Sequence, residues 1–320
     1  MEYFEPCGRI ELVPEEDFDA RMAEIGEIMQ SCRIDGKAGS FDCLGIPWEG
    51  YLVKNPRGAV VILHGFTEFP GKYREMTWYF MNMGYHVFLP VQRGHGKGGI
   101  VHSRRFDHYA HDLKFLVEDI QPHTKGLPLY LFAHSMGGGV AARYMQLHSS
   151  AFDRAVLSSP MFCPMAAGMP YYYALVGTWF MQLRGKKEKS PLFNHGFDPN
   201  TPFERANGTS RPRFFWHLAR RVEEPAYQTE GASNRWVYEA VRLRKRVLRR
   251  CKCKRITTPL LIFGAGQDAQ VREKAQRQFV QRVASAQYCY YPDQKHELFN
   301  ATNDVLEKYL KEIFAFLEKK

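Results

Sequence analysis

The sequence has no C-x-x-C pair. Its seven cysteines (Cys7, Cys32, Cys43, Cys163, Cys251, Cys253 and Cys289) are odd in number and widely scattered, which argues against a disulfide framework and fits a reducing compartment. Cys251 and Cys253 form a C-x-C without the further ligands that zinc requires. No H-E-x-x-H, P-loop or EF-hand pattern occurs, so no metal, nucleotide or other cofactor is expected. Internal repeats and coiled-coil periodicity are also missing. The N-terminal stretch MEYFEPCGRIELVPEEDFDARM is acidic and lacks the charged-then-apolar order of a secretory signal. One stretch, Ser158 to Leu183, carries no charge, but Pro160, Pro164, Gly168, Pro170 and Gly177 interrupt it. A membrane-spanning helix is therefore not expected there, and the expected location is cytoplasmic.

What is present is a globular composition. The chain has 320 residues, 45% hydrophobic and 24% charged, enough to bury a sizeable core. The net charge of +10 is uneven, because nine Lys or Arg fall between Arg242 and Arg255 in RLRKRVLRRCKCKR. The bland interpretation is a solvated helix face. The sharper one is a patch drawn to anionic lipid, at about 1 kcal/mol per cation, which would make the protein peripheral to the inner face of the membrane. No nucleic-acid module surrounds the run, so nucleic acid is not expected as a partner.

Short apolar runs bounded by Gly or Pro alternate with amphipathic stretches, which predicts an α/β fold with a mostly parallel sheet and helices on both faces. The expected strands are Ala59–Leu63, His86–Val91, Leu129–Ala133, Arg154–Ser158, Leu260–Phe263 and Gln287–Tyr291. The expected helices are Lys72–Met83, Phe106–Gln121, Met136–His148, Val271–Val283 and Thr302–Glu318. Between Ser158 and Pro259 the alternation stops, and only Arg213–Val222 and Asn234–Cys251 look helical. This divides the chain into a core segment (1–158), an inserted cap (159–254) and a second core segment (255–320).

The strongest chemical signal is LYLFAHSMGGGVAARYM, Leu129 to Met145. A buried strand runs into Ala133-His134-Ser135-Met136-Gly137 and then a helix, the sharp turn that lifts a nucleophilic serine hydroxyl clear of a sheet. The usual pattern begins with Gly; Ala133 is also small. Taken alone, Ser135 could be a helix N-cap. Acyl transfer also needs fixed N–H donors for the carbonyl oxygen. The backbone N–H of Met136, after the serine, and of Phe66, after the strand-ending VILHGF, are the candidates. Of twelve histidines, His296 follows the final strand, at the sheet edge where open α/β sheets bind ligands. His134 should point away from the site, and His95 and His102 are loop residues. Asp268 ends the preceding strand and is the candidate to orient His296, with Asp293 as rival. The order Ser135, Asp268, His296 is that of α/β hydrolases.

With these residues in place, the chain resembles the bacterial lysophospholipases and monoacylglycerol lipases of the α/β-hydrolase superfamily. HGFTEFPGKY matches their early motif at His64, Gly65, Glu68 and Tyr73. Gly94-His95-Gly96 matches their GHG loop, His134 to Gly138 their HSMGG elbow, and His296 to Leu298 their final H-E-L. Gln92 stands where these lipases usually carry Asp. The resemblance implies the α/β-hydrolase fold with an inserted cap, and cleavage of a single-chain lipid ester through an acyl-enzyme on Ser135. Acyl transfer on the same triad, a small non-lipid ester, and a non-catalytic binding module are the alternatives. The charge-free Met161–Leu183 offers Met, Tyr, Trp and Phe to line an acyl-chain pocket, or is ordinary cap core. Gly94, Gly96 and Gly99 also spell G-x-G-x-x-G, but no immediate apolar helix follows to receive a pyrophosphate.

Overall fold

A computed structural model of the chain describes residues 2–40, 45–148, 151–165, 168–192 and 196–319. Its strands are β1 (Arg33–Ala38), β2 (Ile46–Tyr51), β3 (Gly58–Leu63), β4 (Tyr85–Pro90), β5 (Gly99–Val101), β6 (Leu129–His134), β7 (Arg154–Ser158), β8 (Thr229–Ala232), β9 (Leu260–Ala265) and β10 (Ala286–Tyr291). The helices are α1 (Phe18–Ser31), α2 (Arg74–Asn82), α3 (Asp107–Asp119), α4 (Gln121–Thr124), α5 (Met136–Leu147), α6 (Tyr171–Arg184), α7 (Arg211–Glu223), α8 (Asn234–Val247), α9 (Arg250–Cys253), α10 (Glu273–Val280) and α11 (Asn303–Leu317). Eight strands form one sheet in the order β1-β2-β4-β3-β6-β7-β9-β10. From β4 onward all neighbours are parallel, while β1 and β2 pair antiparallel at one edge.

The period of two in the strands divides the core between the two faces of the sheet. Ala59, Val61, Leu63, Leu131, Ala133, Leu157 and Ile262 pack under α3, α5, α8 and α10. Val60, Ile62, Phe132, Val156, Leu261 and Phe263 pack under α1, α2 and α11. Strands covered on both faces must be apolar throughout, and every residue of β3, β4 and β9 is buried. All six expected strands and all five expected core helices form, with ends shifted by a few residues. The start expected at Lys72 is instead a 3₁₀ turn, Pro70–Tyr73, that leads into α2. Strands β1 and β2 and helix α1 were not read from the sequence; the edge strand β1 (RIDGKA) is largely polar and mostly not buried.

The described residues of 159–254 add no strand to the large sheet; β8 pairs in parallel with β5, from the first segment, in a separate two-stranded sheet. The segment is nevertheless joined to both faces of the core. Helix α8, capped by the Ser233 hydroxyl accepting from the Trp236 N–H at 3.2 Å, buries Trp236, Val237, Ala240, Leu243 and Val247 with α3 and α5. Helix α7 is held by Arg213, whose fully buried guanidinium donates to both carboxylate oxygens of Glu75 in α2 at 2.8 and 2.6 Å. It also donates to the Ala301 carbonyl and to Asn303 Oδ1.

Helix α6 is amphipathic the wrong way round. Ala174, Thr178 and Gln182 are buried, with Ala174 packed on Val241 of α8. Tyr172, Tyr173, Val176, Trp179, Phe180 and Leu183 are exposed, Tyr173 at 73%. At 14 residues α6 is too short to cross a bilayer, and among the described residues no helix is long and apolar enough to do so. Ala166 and Ala167 of the charge-free stretch lie outside the described residues, as does Cys43; the other six cysteines are free. The basic run is not one helix face, because it crosses the break between α8 and α9. Arg242 and Arg246 pair with the buried Glu239 at 3.3 and 2.8 Å, and Arg244 stacks on Tyr171 at 4.6 Å. Lys245, Arg249, Arg250 and Lys254 are exposed.

Removing one partner of a buried ion pair leaves the other charge uncompensated, at a cost of about 3–5 kcal/mol. Arg213→Met should therefore lower unfolding stability by that order in urea titrations. A loss under about 1 kcal/mol, the range of exposed pairs, would mean that apolar contacts alone hold α7.

Candidate active site

Ser135 sits between β6 and α5 with φ 49° and ψ −114°, a conformation disfavoured for any residue with a Cβ. Three backbone hydrogen bonds hold it there. Its N–H donates to the Ser158 carbonyl at 3.0 Å, and its own carbonyl accepts from Gly139 at 3.2 Å and Met161 at 2.8 Å. The glycines that follow are required by contact. A Cβ on Gly137 would lie 2.4 Å from the Leu63 carbonyl oxygen, and one on Gly138 would lie 2.6 Å from Pro160 Cβ. Ala133, where the usual pattern has Gly, is fully buried in the strand.

His296 follows β10 and its Nδ1 lies 2.6 Å from Asp268 Oδ2. The other oxygen of Asp268 accepts from the Gln270 N–H at 2.7 Å and the Val271 N–H at 3.0 Å. Burial alone would raise the Asp268 pKa, but the imidazole and the two N–H groups outweigh it and hold the carboxyl below its usual range. Asp293, the rival, is exposed at the turn after β10. His134 is fully buried, its ring 4.7 Å from that of His296 and 4.9 Å from that of Phe299. Burial pushes its pKa down to about 4, which leaves it a neutral packing group under His296.

The loop after β3 is fixed by a buried charge network that sequence reasoning did not find. The Gly65 N–H and the Tyr73 hydroxyl both donate to Glu68 Oε2 at 2.5 Å. Lys72 Nζ donates to Glu68 Oε1 at 2.8 Å and to Glu297 Oε1 at 2.6 Å. The second oxygen of Glu297 accepts from the Asn300 amide at 2.7 Å, and Asn300 Oδ1 lies 3.0 Å from His217 Nε2. One ammonium thus joins the Gly65 loop to the residue beside His296. Burial opposes ionisation of both carboxyls, but Lys72 overrides it and holds Glu68 and Glu297 below the usual carboxylate range. Lys72 and Glu297 are 225 positions apart, so no local pattern signals the pair.

The neighbouring GHG loop is also engaged. His95, set aside in the sequence as a loop residue, accepts from the Thr67 N–H at 3.2 Å; burial pushes its pKa to about 3, so it is a neutral acceptor. Gln92 takes up the position of the usual Asp by donating its side-chain amide to the His64 carbonyl and its N–H to His64 Nε2 at 3.0 Å.

Ser135, Phe66 and His296 line one cavity of about 610 Å³, within the range of small-molecule sites. Met136 opens α5 directly beneath Ser135 and is buried. The apolar walls include Phe69, Met161, Phe214, Leu218, Val271 and Trp236, with Trp236 stacked on Phe66 at 4.4 Å. The expectation that Met161–Leu183 supplies the acyl-chain lining is corrected here. Among the described residues only Met161 and Pro164 of that stretch reach the cavity, because the aromatic side of α6 faces outward. Helix α7 supplies the wall instead. No group of three or more His, Cys, Asp or Glu that could hold a metal occurs among the described residues.

A family model described as serine aminopeptidase, S33, matches residues 54–303, from β3 through the loop that carries His296. The chain belongs to the serine aminopeptidase S33 family. It is similar to lysophospholipase L2 of Escherichia coli, 28% identical over 242 residues that cover 71% of this chain and 68% of that protein. It is also similar to the monoacylglycerol lipase of Mycolicibacterium smegmatis, 26% identical over 77% of this chain and 83% of that one. In fold it resembles a carboxyl esterase from Bacillus coagulans, with TM-score 0.72 and 20% identity over 89% of this chain and 98% of that one. A soluble variant of monoglyceride lipase from Saccharomyces cerevisiae, in complex with a substrate analog, gives TM-score 0.67 at 19% identity over 85% and 92%. The fold is that of the α/β hydrolases, and the chain is a hydrolase of the carboxylester class.

The network generates a pH-dependent prediction. Carboxyls whose folded pKa is depressed contribute stability that is present above their unfolded pKa and is lost as pH falls through the folded value. In Lys72→Met the two carboxylates would face each other in the core without a cation, and the variant should lose about 3–5 kcal/mol at neutral pH. Repulsion raises their pKa in the variant, so protonation relieves it early and the gap to the parent should narrow at about pH 5. Unfolding curves at both pH values check this; a gap independent of pH would assign Lys72 a packing role.

Proposed function

We propose that this hydrolase cleaves a single-chain lipid ester, a lysophospholipid or monoacylglycerol, through an acyl-enzyme. Ser135 is the nucleophile, His296 the general base, and Asp268 the acid that orients it. The observation that carries the proposal is the 2.6 Å Asp268–His296 pair on a cavity shared with a strained Ser135. Asp268 stays ionised and accepts a hydrogen bond from the Nδ1–H of His296, which leaves Nε2 as the lone-pair nitrogen. That nitrogen accepts the Ser135 proton as the hydroxyl attacks, and the imidazolium then protonates the leaving alcohol. Water activated by the same nitrogen releases the fatty acid. The Phe66 and Met136 N–H groups stabilise the developing oxyanion, the first held in place through the Gly65–Glu68 contact. Residues 159–254 act as the cap that covers the acyl chain.

The lipid substrate is supported by the names of the relatives, a lysophospholipase and a monoacylglycerol lipase, and by the apolar wall of the cavity. Contact with an anionic membrane surface is supported by the exposed aromatic side of α6 together with exposed Lys245, Arg249, Arg250 and Lys254. Aromatic rings favour the interface between lipid and water, and cations add electrostatic attraction to anionic headgroups.

Ser135→Ala should abolish turnover of lysolipids and monoacylglycerols, and labelling by a fluorophosphonate probe, while leaving the fold intact. Asp268→Asn should reduce kcat by roughly 10⁴, the size known for the chymotrypsin-type triad, and Asp293→Asn should not. Labelling on another serine, or the reverse ranking of the two aspartates, would reject the assignment. Activity that appears as transfer to an added alcohol in excess of hydrolysis would make the enzyme an acyltransferase.

For the membrane, Trp179→Ser with Phe180→Ser should release the protein from anionic vesicles without slowing hydrolysis of a small soluble ester. Binding that withstands both this change and high salt would remove α6 as the contact.

A further inference from the structure

The cavity contains a cation that the ester chemistry leaves without work. Arg221 stands in the last turn of α7, on the same side of the helix as Phe214, His217 and Leu218, and all four line the cavity. Lys72, also in the lining, is engaged by Glu68 and Glu297. Arg221 has no such partner. Among the described residues no carboxylate or other acceptor bonds its guanidinium; its Nε is buried and unbonded, and its contact is with the ring of Phe197 at 4.9 Å. Burial pushes its pKa down, opposed only by the more distant charges of Glu68 and Glu297. Arg205, exposed at the same cavity, likewise has no side-chain acceptor among the described residues.

A donor withdrawn from water without an acceptor, as Nε is here, is unfavourable unless a ligand supplies one, and the rest of this half-buried guanidinium reaches the cavity. The guanidinium is a planar fork of donors that matches the paired oxygens of a phosphate. Elsewhere among the described residues the more deeply buried arginines are matched: Arg93 has Asp112, Arg143 has Asp107 and Arg213 has Glu75. Arg221, half-buried, has no such match among the described residues, and it faces the substrate cavity. We infer that Arg221, assisted by Arg205, receives the phosphate of an anionic lipid headgroup, so that the enzyme prefers lysophospholipids to monoacylglycerols. The inference rests on the lipid-ester reading above and narrows it. The apolar wall then takes the acyl chain while the headgroup phosphate meets the arginines.

The test compares two ligands that differ only in the phosphate. In Ser135→Ala protein, calorimetry would measure binding of an ether-linked lysophosphatidic acid and of the ether-linked monoalkylglycerol with the same chain. Arg221→Gln should lower the ratio of their affinities roughly 10- to 100-fold, the range of a charged hydrogen-bonded contact. In active protein the ratio of kcat/KM for the corresponding esters should fall by a like factor, mainly through KM. Arg221→Lys should recover part of it, since an ammonium keeps the charge but not the fork. A ratio that stays constant, whether both lipids weaken together or neither does, overturns the inference, because a structural role for Arg221 would not distinguish them. So would a ratio that falls only when dodecanoate replaces the phospholipid as the anionic ligand, since the site would then hold the released fatty acid. Failure of the hydrolase reading has a different signature: Ser135→Ala would keep turnover while the Arg221-dependent binding ratio persists.

Discussion

The close approach of β6, β3 and the first turn of α5 is the constraint on which the site is built. With Gly137 against the Leu63 carbonyl and Gly138 against Pro160, α5 can start only where Ser135 turns through φ 49°. Burial of apolar residues on both faces of the sheet holds that turn in place. The strain is local, and the stabilisation opposing it is spread over two hydrophobic layers. The same approach places the Leu63 strand end, and so the loop of Gly65 and Phe66, next to the serine.

Above this turn the site is organised by charge. Glu68, Lys72 and Glu297 are all nearly inaccessible, and each carboxylate has a further donor besides the ammonium. Buried ion pairs are tolerated where such hydrogen bonds complete them. Their value here is positional: the network couples the loop after β3 to the loop after β10, two segments that share no backbone hydrogen-bond ladder. The Asp268–His296 pair is built on the same rule, with two backbone N–H groups completing the carboxylate.

Residues 159–254 obey a different logic. Helices α7 and α8 are tied into the core through Arg213 and Trp236, while α6 turns six large apolar side chains to solvent and buries small or polar ones. That inversion, and an arginine in the cavity wall without an acceptor among the described residues, are two places where the chain departs from what isolated folding favours. Such departures concentrate where a protein meets something outside itself.

The sequence alone determined the parallel sheet, six of its eight strands and the order Ser135, Asp268, His296, because each is written in local patterns. Continuous apolar runs mark strands buried on both faces, small residues mark the tight turn, and strand ends mark the edge of the sheet where the candidate site lies. It also carried the family, through motifs at Gly65, Gly94, His134 and His296. The polar edge strand β1 was not legible, since hydrophobic periodicity reports burial and it has little. The outward orientation of the α6 aromatics was equally hidden, because the charge-free run could face a pocket or solvent with the same composition. Only the tertiary structure decided that α7 lines the cavity, that Lys72 reaches Glu297 across 225 positions, and that Arg221 finds no acceptor among the described residues. Those facts depend on which distant side chains meet, and ion pairing and burial are properties of the meeting and not of either residue.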